Sequence, residues 1–225
     1  MMTAGLSIAA SLVLLAPAMF GAQKPVSIPE EIEWTWDVRP PHPDPELPNV
    51  LLLGDSLSRN YFPQVTKDLA GVANVYLMAS SISVGDPRLP REIREFVAME
   101  KVPFRVVHFN NGMHGWDYSE AQFKAAFPEF LRTVGSLVKD NNDLVWATIT
   151  PVEPKASNGA TNDRVDARNT IAHGFITAAH VPIDDQHALM TKHSDLYQDT
   201  VHFNPEGSNL MGDQAAATIR TQLSK

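Results

Sequence analysis

The chain has 225 residues, of which 44% are hydrophobic and 20% charged, enough for one well-buried domain and too few for two of ordinary size. A formal net charge of -8 without any run of Lys or Arg excludes nucleic acid and anionic membrane surfaces as expected partners. Cysteine is absent, so disulfides, a thiolate nucleophile and cysteine metal sites are excluded, and hydroxyls, carboxylates and histidines must carry any chemistry.

The N-terminal segment 1–22 contains an apolar, Ala- and Leu-rich stretch from Leu6 to Phe20, followed by small residues. It reads as an export signal, with an uncleaved anchor as the alternative. Residues 23–48 are rich in Pro and charge and read as an extended arm without strands or helices, pinned to the body by Trp34 and Trp36. The domain proper is expected over residues 49–225.

From there, apolar runs at Val50–Leu53, Val72–Leu77, Val102–Phe109, Leu144–Ile149 and Val181–Ile183 lack polar alternation, as strands covered on both faces do. Helical segments separate them. Ser119 with Gln122 predicts a capping box before a helix to Val138, a second helix is expected from about Asp163 to Ala179, and Asn204-Pro205-Glu206 predicts the start of the last one. Strands alternating with helices imply an α/β fold, a three-layer α/β/α sandwich around a parallel sheet. In such a fold the ligand sits beyond the carboxyl ends of the strands.

The loops there hold the unusual residues. Gly54-Asp55-Ser56-Leu57 follows the first strand and places a hydroxyl at a helix start, where backbone N–H groups and the dipole favour negative charge. Gly85 lies in the loop after the second strand. His108 to Trp116 follows the third, with Asn110 and Asn111 as amides that can donate to an oxyanion. Asp199-Thr200-Val201-His202 precedes the last helix, a spacing that lets a carboxylate reach one imidazole nitrogen while the other faces a serine. Asp55, Arg59, His114 and Trp116 are expected to contact substrate. A metal reading of His187, His193, Asp195, Asp199 and His202 is the weaker alternative, since their spacing fits no common motif.

Gly54-Asp55-Ser56-Leu57 and Asp199-x-x-His202 resemble the first and last conserved blocks of the SGNH or GDSL hydrolases. Gly85 resembles the glycine of the second block. Asn110-Asn111-Gly112 stands in the place of the third, usually Gly-x-Asn-Asp, and is closer to its Asn-x-Gly variant. The resemblance implies a flavodoxin-like, five-stranded parallel sheet in the order 2-1-3-4-5 and ester hydrolysis through an acyl-serine, with no cofactor and no metal. It implies Ser56 as nucleophile, His202 as general base and Asp199 as the group orienting it. Ser56, Gly85 and Asn110, with Asn111 as second choice, would form the oxyanion hole. The expected substrate is a small acyl (acetyl) ester of a carbohydrate or a related extracellular ester. A lipid or general carboxylesterase and an O-acyltransferase are the alternatives.

Overall fold

The computed structural model describes residues 26–155 and 159–225. The expected export signal, residues 1–22, lies outside them. Six strands form one sheet: β1 (Thr35–Val38), β2 (Asn49–Gly54), β3 (Asn74–Ser80), β4 (Val106–Phe109), β5 (Leu144–Ala147) and β6 (Ile183–Asp184). Six helices separate or follow them: α1 (Ser56–Asp68), α2 (Leu89–Glu100), α3 (Glu120–Gly135), α4 (Asn162–Ala178), α5 (Gln186–Met190) and α6 (Pro205–Leu223).

The sheet order is β1-β3-β2-β4-β5-β6. Its five parallel strands run β3-β2-β4-β5-β6, which is the expected 2-1-3-4-5 order. The sixth strand is a correction. The arm was expected to hold no strand, yet β1 pairs antiparallel with β3, from Thr35 opposite Ser80 to Val38 opposite Leu77. Main-chain pairing fixes this segment, and the prolines at 40, 41, 43 and 45 follow the strand instead of interrupting it.

Strand alternation divides the core into two layers. Val50 and Leu52 of β2 face a cluster with Leu57, Tyr61 and Val65 of α1 and Met211, Ala215 and Ile219 of α6. Leu51 and Leu53 face the other, with Ile93 and Phe96 of α2, Phe123, Phe127 and Phe130 of α3, and Ile176 of α4. Burial on both faces explains why these strands read as unbroken apolar runs. The expected Ser119 capping box is present, and Asn204 caps α6 by accepting from the Gly207 N–H at 3.0 Å. Helix α3 stops at Gly135, three residues short of the expected Val138, and Ser136 closes it with main-chain and side-chain bonds to the Thr133 carbonyl.

Because β2 lies between β3 and β4, the chain leaves β2 in one direction and returns on the other side. The loops after β2, β3 and β4 therefore border one crevice at the carboxyl end of the sheet.

Candidate active site

Gly54 ends β2 in a turn that only glycine fits: a Cβ there would stand 2.1 Å from Ser58 Oγ and 3.2 Å from the Asn110 carbonyl. Asp55 is then the N-cap of α1, its Oδ1 accepting from the Leu57 N–H at 3.0 Å. Ser56 becomes the first residue of the helix, its main-chain N–H without a side-chain acceptor. On the far side of the crevice, residues 197–203 close on themselves. Tyr197 bridges Phe203, their rings stack at 4.6 Å, and the Gln198 N–H donates to the His202 carbonyl at 2.8 Å.

That loop delivers His202 to the serine. His202 Nε2 is 2.7 Å from Ser56 Oγ, and its Nδ1 is 2.8 Å from Asp199 Oδ2. Asp199 Oδ1 accepts from the N–H groups of Val201 at 2.9 Å and His202 at 2.8 Å, which fixes the carboxylate rigidly. Burial would raise the Asp199 pKa, but these two bonds and the imidazole outweigh it and hold the group below its ordinary value. Asp199 is thus ionised at neutral pH, and the imidazole proton is placed on Nδ1.

The other expected residues are distributed unevenly. A cavity of about 330 Å³ is lined by Ser56 and His202 together with Glu30, Glu31, Met113, His114, Trp116, Asp117 and Val201. His114 and Trp116 belong to it, but Asp55 and Arg59 do not. Asp55 is buried as the helix cap. The Arg59 guanidinium stacks on Trp34 and Trp36, 5.1 and 5.5 Å from the ring centroids, so it grips the arm instead of rimming the pocket. Trp36 is itself 53% exposed, and its side chain anchors through that stacking while its main chain pairs with β3.

Asn110 and Asn111 are both buried and differ in their commitments. Asn111 Oδ1 accepts from the Val84 N–H and its Nδ2 donates to the Ile82 carbonyl, so its amide is tied at both ends to the loop after β3. Asn110 Nδ2 donates to the Thr148 carbonyl at 3.2 Å, which leaves one amide hydrogen, and its Oδ1 has no partner. Gly85 packs under the Tyr118 ring, where a Cβ would come within 2.6 Å of Cγ. None of the three lines the cavity.

Two features of the site were not read from the sequence. The first is the arm itself: Glu30 Oε2 bonds His114 Nδ1 at 2.9 Å and Oε1 accepts from the Gly115 N–H at 2.9 Å. The second is Arg168, only 1% exposed, which donates to the carbonyls of Gly112, His114, Gly115 and Tyr118 and lies 3.9 Å from the Trp116 ring centroid. One sequence signal points to Arg168. It shares an apolar helical stripe with Val165, Ala172 and Ile176, where a charged residue must find partners inside. No such signal marks Glu30. Of the histidines and acids in the metal reading, His202 is held by Ser56 and Asp199, and His187 faces Asp166 at 3.3 Å. Among the described residues no group of three such side chains is placed to hold a metal ion.

The Glu30–His114 pair makes arm docking pH-dependent. Burial opposes charge on both groups, but the shared hydrogen bond, the Gly115 N–H and the neighbouring Asp55 charge prevail, so Glu30 falls below 4.5 and His114 rises above 6.5. The His114 contribution is complete below pH 6.5 and is lost as pH rises through its raised value; that of Glu30 is lost as pH falls through its lowered one. Proteolysis within residues 26–34 should therefore accelerate in the wild type as pH rises through the raised His114 value. Glu30→Gln, compared with wild type at each pH, should flatten that difference.

No sequence-family model matches the chain, and no curated protein sequence matches it. Solved structures do. A lipolytic G-D-S-L family protein of Veillonella parvula superposes with a TM-score of 0.61 at 15% identity, covering 75% of this chain and 96% of its own. The acetylxylan esterase Axe2 of Geobacillus stearothermophilus gives 0.60 at 14%, covering 79% and 94%. The catalytic domain of the Streptococcus pneumoniae peptidoglycan O-acetyltransferase gives 0.57 at 15%, covering 80% and 96%. With its 2-1-3-4-5 parallel sheet and a Gly-Asp-Ser turn facing an Asp-x-x-His loop, the chain has the fold of the SGNH/GDSL hydrolases.

Proposed function

We propose that the protein is a serine ester hydrolase that removes small acyl groups from a carbohydrate. The observation that carries this reading is the hydrogen-bonded chain Ser56–His202–Asp199 at the mouth of a cavity. Ser56 Oγ attacks the acyl carbon while its proton passes to His202 Nε2. The same nitrogen then protonates the departing alcohol, and water repeats the sequence on the acyl-serine. Asp199, ionised throughout, orients the ring and stabilises the imidazolium.

The tetrahedral oxyanion is assigned to the N–H of Ser56 at the start of α1, the N–H of Gly85 and the remaining amide hydrogen of Asn110. Asn110 is preferred to Asn111 because the Asn111 amide is tied at both ends. A cavity of about 330 Å³ with a polar lining suits an acetyl group on a sugar better than a long acyl chain. Similarity to proteins named acetylxylan esterase and peptidoglycan O-acetyltransferase supports an acetyl group on a glycan, and leaves transfer to a second hydroxyl as the alternative use of the same residues. Export is proposed from residues 1–22, and among the described residues no helix is long and apolar enough to cross a membrane.

The test is hydrolysis of p-nitrophenyl acetate, butyrate and octanoate beside acetate release from acetylated xylan, with wild type and Ser56→Ala in parallel. Ser56-dependent acetate release is the expected result. Octanoate hydrolysis without release from the glycan moves the assignment to a lipid or general carboxylesterase.

A further inference from the structure

The arm brings to the cavity an acidic side chain for which the reaction has no use. Glu30 is already spent on His114 and Gly115. Its neighbour Glu31 is an exposed residue that lines the same cavity and, among the described residues, forms no hydrogen bond or ion pair. Asp117, exposed in the loop after β4, lines it as well and is equally uncommitted among the described residues. No Lys or Arg is among the lining residues. Arg164 and Arg168, packed on the Trp116 ring, are engaged by Glu120 and by main-chain carbonyls.

Two exposed carboxylates with free lone pairs, lining a cavity that already holds a serine and its base, accept hydrogen bonds from hydroxyls and disfavour carboxylates and phosphates. Resting on the reading of Ser56 as nucleophile, we propose that Glu31 and Asp117 select the alcohol half of the substrate: an uncharged, hydroxyl-bearing moiety such as a neutral sugar, to the exclusion of uronic acids and other anionic alcohols. The arm is then a part of the specificity pocket contributed from outside the parallel sheet. Repulsion of a unit charge by two carboxylates some 7 Å away is worth about tenfold in kcat/KM at low salt, and is largely screened at 1 M, where the Debye length is about 3 Å.

The experiment compares kcat/KM for a mono-O-acetylated methyl xyloside and a mono-O-acetylated methyl galacturonide at about 0.01 M and 1 M ionic strength. Wild type, Glu31→Gln, Asp117→Asn and the double variant are used, with p-nitrophenyl acetate and Ser56→Ala as the check on the nucleophile. Wild type should prefer the neutral ester by about tenfold or more at low salt, and high salt should narrow that preference. The double variant should reduce it to about threefold or less, chiefly through a lower KM for the galacturonide. Equal handling of the two esters by wild type at low salt overturns the assignment, as does an unchanged preference in the double variant. So does hydrolysis of p-nitrophenyl acetate with neither sugar ester accepted. Loss of Ser56 dependence on all three substrates is a separate outcome, and sinks the nucleophile reading itself.

Discussion

His202→Ala should lower kcat for p-nitrophenyl acetate by about 10⁶, as should Ser56→Ala, and the double variant should be no worse than either. The reason is that the two groups act as one unit: without the imidazole 2.7 Å from Oγ, the hydroxyl keeps its proton, and without the hydroxyl the imidazole has nothing to activate. Asp199→Asn should cost less, about 10⁴. The asparagine retains an acceptor for the Val201 and His202 N–H groups but loses the charge that holds the proton on Nδ1. Single-turnover measurements with the three single variants and the Ser56→Ala/His202→Ala pair test this directly. A double variant much slower than both singles would mean that the residues contribute independently and do not form a relay.

Arg168→Met should destabilise the protein by about 3–5 kcal/mol, lowering the melting temperature by roughly 10 °C for a domain of this size. The methionine fills much of the volume but leaves the Gly112 and His114 carbonyls without their donor and weakens the hold on those of Gly115 and Tyr118, which keep the Tyr118 N–H and Arg164. Burial, reinforced by the like charge of Arg164, lowers the Arg168 pKa to about 10, so the group remains cationic at neutral pH. Its partners are mostly carbonyl dipoles and not a paired carboxylate; the nearest acid, Glu120, is 3.8 Å away. The same loop carries Met113, His114, Trp116 and Asp117 into the cavity, so thermal unfolding and kcat/KM measured well below the melting temperature should both fall. A variant with wild-type melting behaviour would show that the loop holds its shape by other means.

The two halves of the site differ in how far the sequence reveals them. Ser56 is legible because a buried strand ending in Gly-Asp-Ser is a local pattern: the cap, the turn and the close approach that excludes a Cβ at Gly54 all lie within five residues. Asp199 and His202 are legible for the same reason, three residues apart in one turn before a capped helix. The five parallel strands and their order follow from two-sided burial and right-handed crossovers, which leave a repeated mark in the apolar pattern.

Contacts across long sequence separations leave no such mark. Glu30 meets His114 from 84 residues away, and Arg168 spans more than 50 residues to reach the loop it pins. β1 is four residues of an arm whose composition favours an extended chain, and only the exposed edge of β3 turns it into a strand. The sequence by itself determined the Gly-Asp-Ser turn, the Asp-x-x-His loop and the parallel sheet that positions them, because each depends on neighbours within a turn or on a periodic burial pattern. Only the tertiary structure decided that the arm walls the cavity, that Asn111 is tied at both ends while Asn110 is not, and that Arg59 grips the arm; packing over long separations sets these contacts, and no local rule encodes them.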